Sequence, residues 1–95
     1  MARTFWTDEA LRYIAEIYKY IAEDSPQNAE CFLSALMDSV ETQLSLGVEI
    51  GRVTPELRDP KKREIIYKNY RVLYTVNDDK QTAYITQVQY GAKPL

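Results

Sequence analysis

The chain has 95 residues, 45% of them hydrophobic and 27% charged, with a formal net charge of −2. That size supports one core and one domain, residues 1–95, and the composition excludes general disorder. Histidine is absent and only three glycines are present. This excludes Ser-His and Cys-His nucleophile pairs, the commonest metal ligand sets and a Gly-rich phosphate loop. Any chemistry rests on carboxylates, tyrosines, lysines and arginines, with no cofactor or metal expected. The single cysteine, Cys31, has no partner for an internal disulfide. No apolar run reaches the ~20 residues of a membrane span, and the N-terminus lacks the apolar stretch of a signal peptide, so a cytoplasmic protein without membrane contact is expected.

A short strand is expected over Arg3–Trp6. Thr7 then reads as an N-cap, with Asp8 and Glu9 in the first turn, where a helix favours negative charge. Ala10, Ile14, Ile17, Tyr18 and Ile21 recur at helical spacing and predict a helix over Asp8–Glu23. Trp6 is expected in the core, whereas Tyr13 and Tyr20 fall off the helix's main stripe. Ser25-Pro26 is a second start signal, a capping hydroxyl followed by proline at the first helical position. Phe32, Leu36, Val40 and Leu44 then recur every four residues until Gly47 ends the helix. So short a connection makes the two helices an antiparallel αα-hairpin.

Between Gly47 and Lys62 no period emerges, and unstructured loops of that length tend to be functional or disordered. Three strand-like runs follow, Arg63–Tyr67, Tyr70–Val76 and Gln81–Tyr90, with NDDK as the second turn. The expected fold is therefore α+β in the order β-α-α-β-β-β, an antiparallel-rich sheet with the helical hairpin packed on one face.

Charge is unevenly placed along the chain. Residues 1–48 hold three basic residues against eight acidic, whereas Gly51 to Arg71 holds seven against three. This marks a local basic site on a globally acidic protein, with Arg52 as one of its candidates.

The hairpin poses the sharpest question. With Lys68-Asn69 as a two-residue turn, Tyr67 pairs with Tyr70, Ile66 with Arg71, Ile65 with Val72 and Glu64 with Leu73. Alternation puts Ile65, Tyr67, Tyr70, Val72, Tyr74 and Val76 on the helix side. Lys62, Glu64, Ile66, Arg71, Leu73 and Thr75 fall on an open face. Glu64 is then diagonal to Arg71 at about 7–8 Å between backbones. Two readings stand: an exposed ion pair, or an anion site built on Arg71. An exposed pair contributes at most about 1 kcal/mol, so loss of Arg71 is expected to leave the fold nearly as stable.

Four pieces carry a resemblance, in order and spacing: ALRYIAEIYKYIAEDSPQNAECF, GRVTPEL, REIIYKNYRVLY and ITQVQYGAKPL. Together they cover nearly the whole chain, which resembles the RelE/ParE superfamily of bacterial type II toxins. The resemblance implies the same β-α-α-β-β-β fold and a cognate antitoxin partner, in a plasmid stabilisation-like system with a homodimer or a toxin-antitoxin hetero-oligomer as assembly. Its two branches differ in target. RelE-like members cut messenger RNA on the ribosome without metal, and ParE-like members poison DNA gyrase. Arg71 matches the phosphate-contacting arginine of a YR-x-x-Y strand, and Lys62 and Glu64 match positions that nucleases fill with basic or acid/base groups.

Departures carry equal weight. The closing strand reads VQYGAK, with Tyr90 for the usual histidine and Lys93 for the usual arginine. A nuclease here would use Glu64 as base, Tyr90 as acid, and Arg71 with Lys93 as the clamp. Target or phosphate contacts would fall to Arg52, Lys62, Arg71 and Lys93. Lysine clamps phosphate less well than bidentate arginine, and a pI near 5.1 suits ribosomal RNA poorly. The expectation is thus a non-enzymatic, growth-inhibiting gyrase poison. The alternatives are a ribosome-dependent endoribonuclease or a degenerate member that binds antitoxin alone.

Overall fold

The computed structural model describes residues 2–91. Its elements are β1 (Arg3–Trp6), α1 (Asp8–Ala22), α2 (Pro26–Ser45), β2 (Arg52–Val53), β3 (Lys62–Tyr67), β4 (Tyr70–Val76) and β5 (Thr82–Tyr90). The β-α-α-β-β-β order holds, with β2 as a two-residue addition inside the segment that showed no period. The strands form one sheet in the order β1-β5-β4-β3-β2. β1 runs parallel to β5, and the other neighbours are antiparallel.

Local chemistry sets the helix ends. The Thr7 hydroxyl accepts from the Ala10 N–H at 3.2 Å and donates to the Ile85 carbonyl at 2.6 Å, so one side chain caps α1 and fastens it to β5. The Ser25 hydroxyl accepts from Asn28 N–H at 3.1 Å, and Pro26 opens α2 where a missing N–H costs nothing. The apolar stripe of α2, with Leu33, Leu36, Val40 and Leu44, is buried. Leu36, Val40 and Leu44 pack with Ala10 of α1 against Ile65, Val72, Tyr74, Val76, Ile85 and Val88 of the sheet. Trp6 and Phe32, both expected in the core, pack against it only partly buried, and the Trp6 indole donates to Glu41 at 2.7 Å. Tyr13 is likewise half-buried at the core's rim, while Tyr20 is 74% exposed.

The β3–β4 hairpin has the expected register throughout, from Tyr67↔Tyr70 to Lys62↔Thr75. Lys68 supplies the left-handed backbone that the two-residue turn demands, with φ of 52°. The second hairpin is closed by Asp79, whose carboxylate accepts from Gln81 N–H at 2.8 Å and Thr82 N–H at 3.1 Å. The β4–β5 ladder contains one irregularity. Tyr74 pairs with Ile85 but Leu73 pairs with Gln87, so Thr86 is an extra residue. A bulge of one residue reverses the face of every side chain beyond it.

Tyr74 ties the sheet to the segment after α2. Its hydroxyl donates to the Val48 carbonyl at 2.7 Å and accepts from Gly51 N–H at 3.0 Å. A Cβ on Gly51 would meet the Glu64 carbonyl oxygen and the Tyr74 hydroxyl at 2.6 Å each, so only glycine lets the chain approach this closely.

Burial drives the Tyr70 phenol above its ordinary 10.0, and the neighbouring Tyr90 adds to the effect. Burial also drives Tyr74 above 10.0, partly offset by the Gly51 N–H. Both folded values lie above the unfolded ones, so this stabilisation is complete below about pH 10 and is lost as pH rises through the folded values. Urea unfolding measured upward from neutral pH should show stability falling once pH passes about 10, with at least two tyrosines resisting ionisation until unfolding. Tyrosines that all ionise together in the folded chain would contradict this.

Candidate functional site

The open face of the sheet is where the candidate residues were expected, and its centre is a chain of charges. Glu64 is 1% exposed and Arg71 is fully buried. Arg71 donates to Glu64 Oε1 through Nε at 3.2 Å and through Nη2 at 2.6 Å. The other carboxylate oxygen, Oε2, accepts from Arg52 Nε at 2.6 Å, with Arg52 Nη2 at 2.5 Å. Arg71 also forks onto Glu56, Nη1 to Oε2 and Nη2 to Oε1, both at 3.0 Å. Strand pairing explains half of this: Arg52 lies opposite Glu64 across β2–β3, and Arg71 sits one step along on β4. The other half comes from the loop after β2, which lays Glu56 over the face.

This corrects the expectation of an exposed, weakly contributing pair. The Glu64–Arg71 contact is direct and buried, and the partner that covers Arg71 is a loop carboxylate that strand alternation does not reach. Each of the two guanidiniums alternates with a carboxylate, so the sequence Arg52–Glu64–Arg71–Glu56 is neutral in sum. The hydrogen bond to Glu56, and then that to Glu64, raises the Arg71 pKa above its ordinary value, so its charge is permanent. Much of the basic excess read from Gly51 to Arg71 is thereby compensated. Lys61 pairs with Asp78, and Arg63 donates to the carbonyls of Pro60, Glu49 and Gly51 at 2.8–2.9 Å.

Lys62 remains on the open face, where its ammonium reaches the Thr75 hydroxyl at 3.2 Å. Arg52 is half-exposed at the sheet's edge. Lys93 lies outside the described residues. Tyr90 is the misplaced member. It pairs with Tyr70, its ring meets the Tyr70 ring edge-on at 5.3 Å, and it is 76% exposed on the helix side. Glu64 and Arg71 belong to the opposite face. The bulge at Thr86 is the reason: an unbroken ladder would have carried Tyr90 to the Arg71 side. The geometry therefore brings Arg52, Glu64 and Arg71 together, adds Glu56, and separates Tyr90 from them by the thickness of the sheet.

On its own side Tyr90 borders a cleft of about 380 Å3, with Glu16, Ile17 and Tyr20 of α1 and with Tyr70. Beneath it, Phe32 and Tyr70 rings lie 5.4 Å apart. Among the described residues, no group of three or more acidic, cysteine or histidine side chains is placed to hold a metal. Among the same residues no helix is long and apolar enough to cross a membrane.

The model of the ParE toxin of the type II toxin-antitoxin system parDE matches residues 4–94. The chain belongs to the ParE toxin family. As a RelE/ParE-type toxin of a type II toxin-antitoxin system it has solved structural relatives at low sequence identity. A chain of the chromosomal ParDE system from P. aeruginosa superposes with a TM-score of 0.74 at 18% identity, covering 96% of each chain. A chain of the RelBE2 toxin-antitoxin complex from Mycobacterium tuberculosis gives 0.64 at 20% identity, covering 97% of this chain and 92% of the other. No curated protein matches this ParE-family sequence.

Glu56 was not singled out from the sequence, although it sits inside GRVTPEL. Its one signal was a carboxylate within a strongly basic window. Removal of Arg71 from this ParE-family fold takes both arginine donors from the buried Oε1 of Glu64 and leaves the carboxylate compensated only by Arg52 through Oε2. Arg71→Ala should therefore lower unfolding free energy by about 3–5 kcal/mol in urea titrations, not leave it unchanged. A loss of only about 0.5 kcal/mol would mean that the pair is solvated and weak.

Proposed function

We propose that this chain restrains growth as a non-enzymatic poison of DNA gyrase, held in check by a cognate antitoxin. The observation that carries the reading is the separation of the groups that RNA cleavage would require. Attack by a 2′-hydroxyl needs a base and an acid on either side of one phosphate, within hydrogen-bond reach. Here the candidate base, Glu64, is enclosed between two arginines, and Tyr90 faces the helices. Both carboxylate oxygens of Glu64 already accept from arginine, so neither is aimed at a substrate hydroxyl.

An inhibitor makes no such demand. It needs a rigid body that presents a surface, and the buried charge chain makes the sheet's open face rigid. The match to the ParE model over residues 4–94 supports the same branch. The antitoxin reading rests on two supports: the similar P. aeruginosa and M. tuberculosis chains come from toxin-antitoxin systems, and the cleft beside Tyr20 and Tyr90 is apolar and open. An amphipathic helix laid against α1 suits such a cleft. A plasmid or chromosomal stabilisation role follows from that pairing.

The test is induction of the chain with and without the antitoxin encoded beside it. Without antitoxin, cells should filament and accumulate gyrase-dependent DNA breaks while messenger RNA stays intact. Co-expressed antitoxin should abolish both effects and co-purify with the chain. Rapid, codon-phased transcript cleavage in place of DNA breaks would overturn the gyrase reading.

A further inference from the structure

The helix side of the sheet carries a row of aromatic rings that runs from the β3–β4 turn to the end of β5. The Tyr67 and Tyr70 rings flank that of Phe32 at 5.8 and 5.4 Å, and Tyr90 follows Tyr70 at 5.3 Å. At the Tyr67 end the row already holds a cation. The Lys68 ammonium lies 5.9 Å from the Phe32 centroid and 5.8 Å from that of Tyr67. Ring faces attract cations at such distances through the quadrupole of the π-system. The other end opens into the cleft of about 380 Å3 lined by Glu16, Ile17, Tyr20, Tyr70 and Tyr90. Tyr20 and Tyr90 are 74% and 76% exposed there, whereas Tyr70 is buried.

The Tyr70 and Tyr90 planes meet at 75°, so these rings form a corner rather than a stack. Burial, and then Tyr90 and Tyr20, raise the Tyr70 phenol above 10.0, so the three phenols lie within reach of one another's charge. Glu16 adds a carboxylate to the rim. Among the described residues no ion pair or side-chain hydrogen bond engages it, Arg12 and Lys19 one turn away on α1 included. We propose that this cleft is the seat of one arginine side chain of a partner protein. Its guanidinium lies among the rings of Tyr20, Tyr70 and Tyr90, with the Glu16 carboxylate as counter-charge.

Arginine suits the seat better than lysine or an apolar side chain. A guanidinium is flat and weakly hydrated, so it offers its face to a ring while its N–H edge bonds a carboxylate. An ammonium is strongly hydrated and has no such face. A leucine would fill the cleft but leave the Glu16 carboxylate covered and unpaired. The surroundings agree in charge, since residues 1–48, which build β1, α1 and α2, hold three basic residues against eight acidic. Such a field draws a basic partner segment to this side of the molecule. The seat rests on the partner-helix reading given above only for the protein that carries the arginine. Its preference for a guanidinium depends neither on that reading nor on gyrase as target.

Nuclear magnetic resonance titration of the full chain tests the seat with N-acetyl-arginine amide, against N-acetyl-citrulline amide as a neutral probe of the same shape. The arginine probe should bind about fivefold more tightly, with its side-chain methylene protons shifted upfield by the rings and its affinity falling as salt rises. Glu16→Gln and Tyr20→Leu should each reduce that preference below about twofold, whereas Tyr20→Phe should keep it. Both positions are exposed, so thermal midpoints should not move. Equal affinity for the two probes, or a preference that survives Glu16→Gln, would overturn the proposal. Binding seen only in Lys93→Ala would assign the seat to a lysine of the same chain and overturn it as well. In the complex with the antitoxin encoded beside it, Glu16→Gln should weaken association about tenfold. Unchanged association there would overturn the assignment of the arginine to the antitoxin. Failure of the parent chain to bind that antitoxin would instead refute the antitoxin reading and leave the probe result standing.

Discussion

A carboxylate with no access to water has to be matched by cations, and Glu64 is that carboxylate here. The cost of burying it is met by bonding each of its oxygens to a different arginine. Arg52 has to be delivered by an additional edge strand, which accounts for a strand as short as β2. Arg71, once committed, retains unused donors that face the loop, and Glu56 takes them. One buried charge on β3 thus fixes the edge strand, the loop beyond it and the state of the neighbouring strand.

The other face of the same region is fixed by different means. Gly51 sits under Tyr74, and the phenol bridges Val48 and Gly51 through two buried hydrogen bonds. The chain between α2 and β2 is therefore held from the helix side by a neutral hydroxyl and from the open side by charge.

Much of the architecture was legible because local signals were strong. Thr7 and Ser25-Pro26 announced the helices through capping chemistry, and the two-residue turn at Lys68-Asn69 left the hairpin a single register. Assignment of Glu64 and Arg71 to one face followed from that register alone. Their burial did not, because it is produced by a loop that has no periodicity and by a side chain, Glu56, eight residues away from Glu64 in sequence. The helix-side position of Tyr90 was hidden for a different reason. Alternation is reliable only while a ladder is regular, and the extra residue at Thr86 inverts everything after it. A threonine carries no bulge signal comparable to glycine, so nothing local marked the inversion. The candidate set of Glu64, Arg71 and Tyr90 was legible as residue types but not as a geometry.

Direct energetic coupling between Glu64 and Arg71 is the central claim, and a double-mutant cycle in urea unfolding measures it. Glu64→Gln, Arg71→Met and the double variant should give a coupling energy of about 2–3 kcal/mol, the upper end for contacting residues. Additivity to within about 0.5 kcal/mol would contradict the account, because the two side chains would then be neighbours without being partners.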